Sequence, residues 1–212
     1  MATETQKKTN QEYFAEVISS SNEVVIAQCY KELLLNKAFK NNMFQGAIVK
    51  ITNQEDPSYE AFGIISKINN TSLDSIHKPS ALGLTTKELE HYQPQIFELL
   101  RKELEIHLFA YKEEDKLHNY PPVKPLMIHD FVCIPTDKEV IQLTNDFSNV
   151  IELIKRNQLK SSILVNLADL GYSLRNKDND YLIKISKQIS LFLNEEYDLL
   201  IQLLKRISDL RQ

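Results

Sequence analysis

The chain has only four glycines in 212 residues, Gly46, Gly63, Gly83 and Gly171, and they stand 17, 20 and 88 residues apart. A loop that cradles phosphate needs glycines close together, because its backbone amides must turn inward where a Cβ would clash. Neither Gly-x-x-x-x-Gly-Lys-Ser/Thr nor Gly-x-Gly-x-x-Gly occurs, which excludes ATPases and dinucleotide enzymes of the familiar kinds. Arginine is also scarce: Arg101, Arg156, Arg175, Arg206 and Arg211 stand against 20 lysines. The guanidinium fork that grips phosphates and guanine edges is therefore thinly supplied. Net charge is -4, with 15 basic against 21 acidic residues in 1–149 and 10 against 8 in 150–212. Neither part is basic enough to suggest a nucleic-acid partner.

Other chemistries are missing as well. Cys29 and Cys133 are the only cysteines, each inside an apolar run ("VVIAQCY" and "FVCIP"), and both read as core thiols. The five histidines, His77, His91, His107, His118 and His129, stand singly, with no His-x-x-x-His pair and no Cys-x-x-Cys. His129 and Asp130 read as neighbours in a strand, pointing to opposite faces and unable to share an ion. No metal or other cofactor is expected. There is no Gly-x-Ser-x-Gly elbow, and Glu113, Glu114 and Asp115 form a solvated charge run without the burial a general acid needs. No apolar run approaches the roughly 18 residues that cross a bilayer. The first residues, "MATETQKKTNQEYF", are polar and lack an apolar signal core. The expectation is a cytoplasmic protein without membrane insertion.

What is present divides near Thr136. Before it, six short runs rich in Val, Ile, Phe and Tyr read as strands: "YFAEVI", "EVVIAQCY", "GAIVKI", "YEAFGIISKI", "LEIHLFAY" and "LMIHDFVCI". In "LEIHLFAY" the alternation puts Leu104, Ile106 and Leu108 on one face and Glu105, His107, Phe109 and Tyr111 on the other. Such strands with few long helices predict a small antiparallel β-barrel. "SSSN" at 19–22 reads as a hairpin turn, and "KEEDKLHNYPPVKP" at 112–125 as the loop joining the last two strands. A helical insertion at 74–102 interrupts the sheet, with a capping box at Thr85 and Glu88 and Pro94 opening "PQIFELLRKE".

After Thr136 the apolar period is helical. Thr136 and Glu139 make a second capping box, followed by a stripe of Val140, Leu143, Phe147, Val150, Ile151 and Ile154. Ile163, Leu167, Leu170 and Leu174 form another, with Gly171 as a weak point. Tyr181, Ile185, Ile189 and Phe192, then Leu200, Leu204 and Ile207, complete the set. The fold class is α+β: a barrel over 13–135, after a disordered 1–12, then a C-terminal helical region over 136–212. The absence of a linker favours packing of that region on the barrel.

"DSIHKPSALGLTTKELEHYQPQIFELL" (74–100) is the one stretch that invites a functional reading. One reading is a connector: a turn, Pro79 keeping the chain extended, and two short helices covering the sheet. The other is a partner-binding surface made by His77, Lys78, His91, Tyr92 and Gln93, with Ile76, Leu82, Leu84, Ile96 and Phe97 anchoring the insertion to the barrel.

"SLDSIHKPSALGLTTKELEHYQPQIFELL" and "YPPVKPLMIHDFVCIPTDKEV" resemble a family of uncharacterised cyanobacterial proteins that carry a HAS-barrel domain. The match covers roughly 13–135, and "NEEYDLLIQLL" is similar to the family's carboxyl end. HAS barrels are shared by HerA-type DNA translocases and the catalytic-ring subunits of ATP synthase, where the barrel sits beside the motor and helps subunits or accessory proteins contact one another. The resemblance implies architecture more than activity. The expected function is a non-enzymatic adaptor or assembly module, docking on a larger ATPase assembly or on itself. An accessory role in DNA metabolism beside a HerA-type ATPase is the alternative. An enzyme of unfamiliar type is a third, requiring a deep pocket that gathers Glu105, His107, Tyr111 or His129.

Overall fold

The computed structural model describes residues 13–31, 43–72 and 81–211, apart from the side chains at 86, 90, 97 and 98. The first part of the chain supplies β1 (Tyr13–Ser20), β2 (Val24–Cys29), β3 (Ile48–Thr52), β4 (Tyr59–Ser72), β5 (Leu100–Glu113), β6 (Lys116–His118) and β7 (Phe131–Cys133). They pair antiparallel in the order β2-β1-β7-β3-β4-β5, and β5 returns to β2. That last pairing closes a six-stranded barrel, which leaves its members no free edge. β6 extends β5 as a hairpin, its tight turn made by Glu114 and Asp115 at φ 49° and 65°. The stretch expected to be loop at 112–125 thus contains a short strand.

Two apolar cores share the barrel wall. Inside lie Phe14, Val25, Ile51, Ile65, Ile106 and Leu108, all buried. Outside, Ile48, Phe62, Ile64, Phe109 and Ala110 face the helices and belong to the helical core. The wall serves both sides because of a bulge: Phe62 pairs with Ala110 but Gly63 with Leu108, which leaves Phe109 as the extra residue. Strict alternation would put Phe109 and Tyr111 on one face. The bulge instead turns Phe109 to the helices and Tyr111 inward beside Leu108. Gly63 permits this close approach, since a Cβ there would run into Ile106 Cγ2 and crowd the His107 carbonyl oxygen at 3.1 Å.

The strand expected across 126–134 contracts to Phe131–Cys133. His129 sits at φ 77°, outside any strand. Asp130, 1% exposed, explains the turn: its carboxylate accepts from the Met127 amide at 2.8 Å and the Gln54 amide at 3.0 Å. His129 points out to Glu16, at 2.7 Å. The two side chains do diverge, through a turn rather than a strand.

The helices are α1 (Thr86–Tyr92) and α2 (Gln95–Leu99) between β4 and β5, then α3 (Asp137–Leu143), α4 (Ser148–Arg156), α5 (Ser162–Ser173), α6 (Asn179–Phe192) and α7 (Tyr197–Asp209). Residues 100–102, expected to be helical, belong to β5. Both capping boxes form, at Thr85/Glu88 and Thr136/Glu139. α3 and α4 would be one helix by period alone. The chain breaks because the Thr144 hydroxyl donates to the Val140 carbonyl at 2.7 Å and Asp146 accepts from the Ser148 amide at 2.8 Å. Arg175 fastens the break: its guanidinium donates to the carbonyls of Ile141 (2.6 Å) and Gly171 (2.8 Å) and to the side chains of Thr144 (3.0 Å) and Asn145 (2.7 Å). It also lies 4.1 Å from the centre of the Tyr181 ring. Gly171 stays inside α5, where a Cβ would meet Tyr181 Oη and Thr144 Oγ1.

A second break separates α6 from α7. The expected stripe ended at Phe192, but Phe192 is 42% exposed and Leu193, at 3%, takes the inward place. Helix and barrel are tied by charge as well: Lys50 on β3 reaches Glu60 at 3.1 Å and Glu139 on α3 at 3.2 Å. The helical region therefore packs on the barrel, with the outer face of β3, β4 and β5 as its floor.

Candidate functional site

β4 and β5 are 14 residues each, longer than the barrel needs. β5 leaves β2 after the pair Gln28–Glu103, yet it continues along β4 to the pair Ser72–Leu100. Asn70, Thr71 and Ser72, opposite Lys102, Arg101 and Leu100, thus form a polar two-stranded arm beyond the barrel wall. Apolar side chains would be wasted on a ribbon with no core behind it, which accounts for the composition.

The arm carries α1 and α2. The N-terminus of α1 is fixed reciprocally: the Thr85 amide donates to Glu88 Oε2 at 2.7 Å, and the Glu88 amide donates to Thr85 Oγ1 at 3.3 Å. The Thr85 hydroxyl and amide hold the Glu88 carboxyl below its usual range. Neither α1 nor α2 forms a packed interface with another element among the described residues. Leu82 (44% exposed), Leu84 (37%), Tyr92 (67%) and Leu99 (41%) face solvent. Complete burial of such a side chain is worth about 1.5–3 kcal/mol, so the uncovered group is a sizeable reserve for a partner.

Of the five residues expected to bind a partner, three are described. His91 and Tyr92 end α1 side by side, their rings edge to face with centroids 4.9 Å apart. Gln93 follows as the cap, donating its amide to the Leu89 carbonyl at 2.8 Å. His77 and Lys78 lie outside the described residues, as do Ile76 and the Phe97 side chain. Leu82 and Leu84, expected to anchor the insertion, are 44% and 37% exposed, and Ile96 is half-buried. The structure thus adds Leu82, Leu84 and Leu99 to the candidate surface.

Two polar groups outside the arm bear on chemistry. His107, 6% exposed, meets Glu105 through Nε2 at 3.3 Å, and the Ser66 hydroxyl donates to the same Glu105 oxygen at 2.7 Å. The Ser66 hydroxyl, followed by His107, holds the Glu105 carboxyl below its ordinary range. The carboxylate stands between serine and histidine, so the histidine cannot take the serine proton directly; this is not a nucleophile–base pair. At the far end of the same two strands, Tyr111 stacks on His118 at 4.7 Å and donates to the Tyr120 hydroxyl at 3.1 Å. That bond, with burial, pushes the Tyr111 hydroxyl up to about 12, which suits a structural phenol. Glu105, His107, Tyr111 and His129 are not gathered at one place: His107 and Tyr111 project to opposite sides of the wall, and His129 lies on the β7 turn.

Among the described residues no three His, Cys, Asp or Glu side chains come together as a metal site, and no helix is long and apolar enough to cross a membrane. No protein-family model matches the chain, and no curated protein matches it.

Proposed function

We propose that this protein is a non-enzymatic adaptor or assembly module of the cytoplasm, working through protein–protein contacts made by the arm. The observation that carries the reading is the tip at 81–99, carried beyond the barrel by a polar ribbon, where Leu82, Leu84, Tyr92 and Leu99 are each 37–67% exposed. A rigid barrel presenting a small apolar and aromatic tip is the usual construction of a docking element. The closed six-stranded barrel is also the architecture that the HAS-barrel resemblance calls for. On that reading the partner is a ring-forming ATPase or a second copy of this chain, and the barrel acts as the mount.

The test is a tagged pull-down from native cells after nuclease treatment, read by mass spectrometry, with wild type beside a Leu82→Asp, Leu84→Asp double variant. A recurring ATPase that the variant loses, while its unfolding curve is unchanged, supports the adaptor. Capture of the same proteins by both forms removes the arm from the proposal. Retention of DNA only when nuclease is omitted would favour the accessory DNA role instead.

A further inference from the structure

α6 and α7 form an antiparallel pair through the turn at 193–196, and besides a buried stripe each carries exposed apolar residues on its outer side, Ile183 and Leu191 on α6 and Tyr197 and Ile201 on α7. The inward stripe of α6 is Tyr181, Leu182, Ile185 and Ile189, all buried. The second runs on the opposite side through Ile183, Lys187, Ser190 and Leu191, at spacings that keep it on one face. With Ser186, Leu204 and Arg211 these residues line a shallow groove of about 570 Å³. Leu191 is 76% exposed and Ile183 41%; Ile201, one turn before Leu204, is 48% exposed.

We infer that this groove receives an amphipathic helix with acidic flanks, supplied by a partner protein. Three features of the lining select that occupant. The floor is apolar at its ends and small in its middle, where Ser186 and Ser190 let a helix backbone come close. Ser190 already donates its hydroxyl to the Ser186 carbonyl at 2.8 Å, so the floor asks for no polar partner. The charged residues in the lining are Lys187 and Arg211, both cations. From Ile183 to Leu191 the groove runs about 12 Å, the length over which a helix presents apolar residues at i, i+4 and i+7. A second copy fits less well, because a twofold contact through this face would bring the Lys187 and Arg211 of both copies into one seam with no carboxylate in either lining. The inference stands apart from the arm, which lies on the other part of the molecule.

The test uses the full ¹⁵N-labelled chain and two designed probe peptides of about five helical turns. Both carry leucine at i, i+4, i+7 and i+11; one has glutamate at the flanking positions and the other lysine. The acidic probe is expected to shift amides of α6 and α7, and to bind at least about tenfold more tightly than the basic one. Leu191→Glu should abolish binding, and the Lys187→Glu, Arg211→Glu double variant should reverse the preference while melting as wild type does. Equal binding of both probes, shifts confined to other elements, or no binding by either overturns the inference. So does a dimer in sedimentation that Leu191→Glu converts to monomer, since the second copy would then be the occupant.

Discussion

β4 and β5 run side by side for their whole length and end in opposite ways. At the Tyr59–Glu113 end the ribbon is sealed: the rings of Tyr59, Tyr111, His118 and Tyr120 pack against one another, Tyr111 stacked on His118 and Tyr120 edge-on to both, Lys124 closes on Glu113 at 2.5 Å, and Phe62, Ile64 and Phe109 lie under helices. At the Ser72–Leu100 end the same ribbon leaves the barrel, turns polar and holds leucines in water. One pair of strands thus contributes stability at one end and an uncovered surface at the other. Substitutions should separate accordingly, with stability responding at the sealed end and binding at the bare one.

The largest effect should come from Phe109, 3% exposed and the side chain that joins barrel to helices. Phe109→Ala should destabilise by about 3–5 kcal/mol through lost burial and a residual cavity. Urea unfolding followed by circular dichroism reads this directly. A loss below about 1 kcal/mol would mean that the helices do not depend on the barrel wall, and the comparison would fail there.

Arg175 comes next. Arg175→Met keeps much of the side chain's packing but removes four donated bonds, leaving the Ile141 and Gly171 carbonyls without it. A cost of about 2–3 kcal/mol is expected, since bonds to a charged donor are the strong ones. Thr144→Val tests the same junction from the other side. If Arg175 acts through Thr144, the double substitution should cost less than the sum of the two singles.

Alkaline pH probes both sides, through Tyr111 and Cys29 in the barrel and through Tyr181 among the helices. Burial pushes the Tyr181 hydroxyl up to about 12, against an ordinary value near 10. The folded state then holds its proton where the unfolded chain has released it. Stability from this group is intact below about pH 10 and is lost as pH rises toward 12, at about 1.4 kcal/mol per pH unit. Tyr181→Phe should flatten that part of the stability profile. On the acid side the opposite sign holds for Glu105, whose carboxyl the Ser66 hydroxyl keeps low: its contribution is present above about pH 4.3 and is lost as pH falls.

Elements were largely legible in the sequence at both ends, and how they meet one another was not. Strands could be read because Val, Ile and Phe alternate locally, and the two capping boxes because Thr and Glu three apart are a local device. Six short strands with few long helices point to a small barrel, but no local signal pairs β2 with β5 to close it. The bulge at Phe109 had no local signal, since it is defined by which residue of β4 stands opposite. The breaks after α3 and α6 were hidden for a similar reason: Arg175 is about 30 residues from the carbonyls it holds, and the helical period, carried straight through, chose Phe192 over Leu193. In the insertion, apolar composition could not distinguish an anchor from an exposed contact. Leu82 and Leu84 read as anchors because apolar residues usually face a core. Among the described residues neither belongs to the barrel core or to the helical core. His91 and Tyr92, read with His77, Lys78 and Gln93 as a contact surface on the insertion, end α1 side by side.

The smallest effect on stability should therefore come from the residues with the largest effect on binding. Leu82, Leu84 and Tyr92 belong to neither apolar core and are 44%, 37% and 67% exposed, so Leu84→Asp or Tyr92→Ala should shift unfolding by no more than about 0.5 kcal/mol. The polar substitution relieves solvent-exposed apolar surface, and the shift could take either sign. Partner capture should nevertheless drop at least about tenfold, because a tyrosine anchor at the centre of an interface can carry about 2 kcal/mol, and an aspartate in place of Leu84 would bury an unpaired charge there. The pairing of these two results is the sharp form of the comparison. A large stability loss for Leu84→Asp would mean that the residue is covered in solution by the chain itself, and the bare end would then be a second sealed one.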